Sequence, residues 1–120
     1  MDDDEAVDAL TRLGLKTYEA RVFVALQQLE TGTASDVADI TDVPRSQVYG
    51  AATDLEARGL LDVQQTRPTV YRPVPPEEAQ KRLLAQIESI GREAFSYLEE
   101  VRGSADESTE RSEAIWTVRG

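Results

Sequence analysis

Arg45, Ser46, Gln47 and Tyr49 stand almost side by side in the block VPRSQVYG, and a further arginine, Arg67, stands in the polar segment TRPT, Thr66 to Thr69. A guanidinium carries a fixed fork of N–H donors that matches a phosphate or the edge of a guanine. A glutamine amide offers the donor and acceptor pair that an adenine edge requires. Serine, threonine and tyrosine hydroxyls add contacts to phosphate oxygens. This is the chemistry of recognition. Catalysis is poorly supplied, because the 120 residues include no Cys and no His, so thiolate nucleophiles, the usual zinc ligands and the commonest general base are all missing. The carboxylates fall in solvated runs such as Asp2 to Glu5 rather than on apolar faces that would raise a pKa. No enzymatic activity, metal or cofactor is expected.

The elements that hold these side chains are short helices followed by a hairpin. Val7, Leu10 and Leu13 mark a first helix that Gly14 ends in a left-handed conformation. Thr17 is the expected N-cap of a second, with the stripe Val22, Phe23, Leu26 and Leu29, ending near Gly32. Thr33 or Ser35 caps a third, which turns Ala34, Val37, Ala38 and Ile40 inward. Asp42 then occupies a turn position expected to need positive φ, and Val43 plugs the angle between helices. Pro44 suits the first position of the fourth helix, and Gly59 stops it.

At 100° per residue, the fourth helix places Val48, Ala51, Ala52 and Leu55 on one side, and Ser46, Gly50, Thr53 and Ala57 on the other. The outer face is bare enough for a close approach to a major groove, with Arg45, Ser46, Gln47 and Tyr49 reaching base edges and phosphates. Solvated roles for Arg45 and Gln47, and a half-core role for Tyr49, are the plain alternatives. Leu61 to Gln65 alternates apolar and polar, and Val70 to Val74, which carries Arg72, returns antiparallel to it around the Thr66–Thr69 loop. The hairpin reads as a wing whose Arg67 meets the phosphate backbone or the minor groove. The expected DNA-contacting set is Arg45, Ser46, Gln47, Tyr49, Gly50, Thr53, Thr66, Arg67 and Arg72.

The net charge of −10 opposes binding to a polyanion, yet its distribution does not. Asp2, Asp3, Asp4, Glu5 and Asp8 crowd the first ten residues with no base among them. From Val43 to Pro75 four arginines face three acids. With eleven Arg against two Lys and dense carboxylates, the composition looks like that of proteins from salt-loving archaea, where molar salt screens self-repulsion over about 3 Å. An ordinary acidic protein with acidic tails is the other reading.

After Pro75 and Pro76, the residues Leu83, Ile87, Ile90, Ala94, Tyr97 and Val101 recur at alternating steps of four and three, a heptad seam widened by Leu84 and Leu98. A helix of about 27 residues reaches roughly 40 Å, too long for a small domain to cover. It is expected to pair with a second copy, the alternative being that it folds back on the first helix, with a bend possible at Gly91. The first few residues and Gly103–Glu113 read as disordered.

LGLKTYEARVFVAL (13–26), ASDVADITDVPRSQVY (34–49), LEARGLL (55–61) and RPTVYRPVPPEEA (67–79) resemble, in order, the N-terminal domain of the TrmB-like archaeal transcriptional regulators. The resemblance covers about residues 10 to 102. It implies a winged-helix DNA-binding domain followed by a dimerising helix, with Arg45, Ser46, Gln47 and Tyr49 opening the recognition helix and Arg67 on the wing. AIWTVRG (114–120) looks like the opening strand of the family's effector domain, so sugar sensing is not carried over.

The expectation is a mainly α, soluble and cytoplasmic protein: a winged helix-turn-helix over 5–75 with a two-stranded wing, a long coiled-coil dimerisation helix over 76–102, and an acidic tail with a remnant strand over 103–120. Its expected partners are double-stranded DNA and a second copy of itself, with no membrane. A winged-helix module for protein–protein interaction in the transcription machinery is the other reading.

Overall fold

A computed structural model describes residues 1–108 of the chain, with side chains to residue 105 in the last helix. It contains α1 (Asp3–Arg12), α2 (Thr17–Leu29), α3 (Ala34–Ile40), α4 (Arg45–Ala57), β1 (Leu61–Gln64), β2 (Val70–Pro73) and α5 (Pro76–Ser108). This is a mainly helical winged helix-turn-helix. It divides into a compact unit, Met1–Ile87, and a second unit from Glu88 onward.

The first residues are ordered into α1, against expectation, because Asp2 caps it by accepting from the Glu5 amide at 2.9 Å and acids fill the first turn, favourable to the helix dipole. Gly14 follows at φ +104°, the left-handed stop read from the sequence. The cap of α2 is Lys16 rather than Thr17; the Glu19 carboxylate reaches back to accept the Lys16 amide at 3.1 Å. That helix ends at Glu30, φ +68°, not at Gly32. Gly32 exchanges both backbone hydrogen bonds with Tyr71, at 3.0 and 2.8 Å, adding a single bridge to the wing sheet. A Cβ there would crowd Leu29 at 3.1 Å, so this close approach explains the glycine.

In α3, Thr33 and Asp36 cap each other reciprocally, and Val37 and Ala34 are buried. Ile40, expected inward, is 49% exposed; it closes a seven-residue helix and lines a shallow groove with Val7 and Val24. Asp42 does not carry the turn, for Glu30 is the one non-glycine at positive φ among the described residues. Thr41 carries it instead, in extended conformation, donating to Val37 O at 2.8 Å and accepting from the Val43 amide at 3.2 Å. Val43 is buried as read.

β1 and β2 pair antiparallel in the register Leu61↔Pro73, Asp62↔Arg72, Val63↔Tyr71 and Gln64↔Val70. Leu61 and Tyr71 face the core, together with Leu60 and Val74. α5 opens at Pro76 with Glu77 and Glu78 in its first turn. Its Ala79 and Leu83 belong to the same core, and Leu83 is only 3% exposed. Leu83 was expected in the dimer seam; instead it fills its own domain, because the first turns of α5 pack there. In the second unit the helix continues past Arg102, the expected boundary, to Ser108, and so takes in the start of the stretch expected to be disordered. The strand expected at Ala114–Gly120 lies outside the described residues.

Candidate nucleic-acid interface

The two faces of α4 divide as the helical angle requires. Val48, Ala51, Ala52 and Leu55 are buried, while Arg45, Ser46, Gln47, Tyr49, Gly50, Thr53 and Ala57 are exposed. Burial of the first set fixes the helix against α2 and α3 and leaves the second set free to meet a partner. A Cβ built at Gly50 meets nothing within 4 Å, so the domain's own packing does not demand a glycine there. Thr53 donates its hydroxyl proton to Tyr49 O at 3.0 Å, which leaves it as an acceptor toward a ligand.

At the wing tip Thr66 is committed in the same way, its hydroxyl donating to Pro68 O at 2.8 Å, so it shapes the loop that presents Arg67. Arg45, Tyr49, Thr66 and Arg67 then line one cleft of about 520 Å³, together with Thr33, Ser35 and Thr69. Neither Arg45 nor Arg67 takes part in an ion pair among the described residues, whereas the other two arginines of the 43–75 segment do. Arg72 is not brought to this cleft. Strand alternation turns it away from buried Tyr71, and it lies 3.7 Å from Asp62, its cross-strand partner. Arg58 is structural: it donates to Gly14 O at 2.9 Å and stands 4.0 Å from Glu19, a carboxylate only 2% exposed.

On the other flank of α4, Lys16, Thr17 and Tyr18 at the start of α2 line a second groove with Gln47, Gly50 and Asp54. From the sequence Thr17 is expected only as the N-cap of α2, and Lys16 and Tyr18 are given no role. Tyr18 stands four residues before Val22, on the apolar stripe by helical period, so no signal along the chain marks it as outward; the structure leaves it 42% exposed at the start of α2. Beneath the cleft, burial pushes the Tyr71 phenol above the usual tyrosine range, with Tyr49 and Glu56 acting the same way. Tyr71 therefore stays neutral and anchors the wing against the core.

A helix-turn-helix with a two-stranded wing and an arginine-lined cleft between them defines a winged-helix protein of the class used by transcription regulators. The sequence pattern of the family described as sugar-specific transcriptional regulator TrmB matches residues 10–77, more than half of the chain, and the chain belongs to that family. It is 28% identical over 122 residues to the HTH-type sugar sensing transcriptional regulator TrmBL1 of Pyrococcus furiosus, covering 98% of this chain and 34% of that protein. It is 30% identical over 117 residues to the uncharacterized protein YrhO of Bacillus subtilis, covering 98% of this chain and 41% of that one. The solved structure of TrmBL2, an archaeal chromatin protein, has the same fold, with a TM-score of 0.80 at 23% identity over 99% of this chain and 47% of that chain. The chain thus spans between a third and a half of the length of these relatives. No helix among the described residues is long and apolar enough to cross a membrane.

Proposed function

We propose that this chain is a sequence-specific, DNA-binding transcriptional regulator that acts as a homodimer, and that α4 enters the major groove while the wing meets the backbone or minor groove beside it. The observation that carries this reading is the convergence of Arg45 and Arg67, both free of ion pairs among the described residues, on one cleft between reading helix and wing. A sugar–phosphate strand is a ligand of the right charge for that cleft, and the hydroxyls of Ser35 and Tyr49 add contacts along it. Lys16 and Tyr18 extend the surface to the opposite flank of α4. Pairing of the apolar stripe on α5 supplies the second reading unit, since one 13-residue reading helix and a wing of four-residue strands make a small footprint by themselves. Selection of bound duplexes from a random library tests the reading. Recovery of no common sequence rules out sequence-specific recognition.

Gly50→Ala separates the needs of the fold from those of the ligand. With open space at the Cβ position, alanine is expected to stabilise the domain by about 0.5–1 kcal/mol. It should nonetheless weaken binding to the selected duplex several-fold, because the added methyl stands where α4 meets the groove floor. Thermal unfolding and fluorescence anisotropy on the same variant read the two effects. Unchanged affinity would show that Gly50 does not approach the DNA closely.

Salt dependence follows from the few free cations. Lys16, Arg45 and Arg67 are the ones near this face without an ion pair among the described residues, so each protomer neutralises about three phosphates and contributes a logarithmic slope of about −3. Each tenfold rise in KCl is therefore expected to lower affinity by about a thousandfold per protomer, a shallower decline than a strongly basic face would give. Affinities measured from dilute to molar KCl check this, and a slope of about −8 per protomer would contradict it.

A further inference from the structure

The exposed reading end of α4 has no side-chain cap, and Pro44 before it offers only its carbonyl, which accepts from the Gln47 and Val48 amides at 2.8 and 3.2 Å. The other end is tied on several sides. A helix C-terminus leaves carbonyl oxygens without intrahelical partners, and here two residues of α5 supply donors just beyond it. Arg82 Nη1 donates to Gly59 O at 2.5 Å, and Gln86 Nε2 donates to Arg58 O at 2.9 Å. Arg82 is itself held by Glu78, whose Oε1 accepts from Nη2 at 2.6 Å one turn earlier on α5. The guanidinium lies so close to Gly59, at φ +75°, that a Cβ there would collide with it. Across the same junction the Arg58 side chain holds Gly14 O and faces buried Glu19.

We infer that Arg82 and Gln86 are positioning residues for DNA recognition: they fasten the C-terminal end of α4 to the base of α5, so that α5 sets the angle at which the reading helix is presented. The inference rests on the DNA-binding function proposed above. Its physical basis is leverage. α4 has 13 residues and is about 20 Å long, so a tilt of roughly 3° at the tied end moves Arg45 and Gln47 by about 1 Å. Hydrogen bonds to base edges tolerate little of that, while contacts to phosphates by flexible side chains absorb it. Loss of the tie should therefore show as loss of discrimination more than loss of binding. Core packing of Val48, Ala51, Ala52 and Leu55 holds α4 in place but leaves such small tilts open, since an apolar contact has no direction of its own.

The test uses the full chain with a duplex selected from a random library and a scrambled version of it. Arg82→Ala, Gln86→Ala and the double variant are compared with the wild type by anisotropy, alongside thermal unfolding and sedimentation equilibrium. Lys81→Ala serves as control, because it removes one exposed positive charge from the same helix without touching the junction. The double variant is expected to lose about tenfold in the affinity ratio of selected to scrambled duplex, the equivalent of one base contact. Each single variant should lose part of this, and association state should not change. Arg82→Lys, which keeps the charge but not the fork, should restore only part of the ratio lost in Arg82→Ala. If the double variant unfolds, the single variants decide. Variants that remain folded and discriminate like the wild type overturn the inference and leave the DNA-binding function standing. A ratio lowered as much by Lys81→Ala also overturns it, assigning the effect to charge. A wild type that binds neither duplex removes the DNA-binding function and this inference with it.

Discussion

Replacing Ile87 and Ile90 by Asp is expected to yield folded monomers whose affinity for a selected two-fold duplex falls by about 100-fold or more, since the second half-site is no longer tethered. Leu84, Ile87, Ile90, Phe95, Tyr97, Leu98 and Val101 are all exposed large apolar side chains on α5, Ile90 at 66%, and Ala94 is exposed among them. Large apolar side chains exposed in such number along one helix are expected to be covered by a partner. Heptad spacing makes a second α5 its natural complement, with charge at the seam strongly opposed by desolvation. Leu83 provides the contrast. It sits in the domain core, so Leu83→Ala should cost about 2–5 kcal/mol of domain stability and leave the seam intact. Sedimentation equilibrium in molar KCl at about ten to a hundred micromolar, a range that reveals even weak association, reads the first effect and thermal unfolding the second. A wild type that stays monomeric there would remove both the dimer and the expected near-palindrome with half-sites about 10 bp apart, or a multiple of it.

Arg45→Ala and Gln47→Ala are each expected to lower the ratio of affinities for selected and scrambled duplexes by about 5- to 150-fold, matching about 1–3 kcal/mol for a lost bidentate base contact. Arg67→Ala should weaken both duplexes alike, because a cation on the wing tip meets backbone common to every sequence. Arg45 and Gln47 lie on opposite flanks of α4, one in the cleft with the wing and one beside Lys16 and Tyr18, so they should report on different base positions. Arg72→Ala, with its guanidinium beside Asp62 and away from the cleft, should change little. Ratios unchanged in both Arg45→Ala and Gln47→Ala would mean that α4 is not the reading helix.

Local pattern carried much of this protein into view. The two faces of α4, the stop at Gly59, the capping threonine of α3, the plug at Val43 and the paired strands of the wing each depend on residues a few positions apart, whose helical or strand period is written directly in the chain. Errors arose where alternatives of equal local merit existed. Lys16 or Thr17 could open α2, Glu30 or Gly32 could end it, and Asp42 or Thr41 could make the turn, and the difference was settled by side chains reaching back and by strand pairing.

The candidate site shows the same division. Arg45, Gln47 and Arg67 were readable as donors, but that Arg45 and Arg67 share a cleft, while Arg58 and Arg72 are taken up by Glu19 and Asp62, depends on partners from 10 to 39 positions away along the chain. Leu83 belongs to the heptad pattern as well as Ile87 does, and only the packing of α5 on the domain separates the core residue from the exposed one. By itself the sequence determined which residues lie on which face of each element and which can donate to a polyanion. Tertiary structure alone decided which cations remain unpaired and which apolar residues remain uncovered, because pairing and burial are set by distances through space that no period along the chain records.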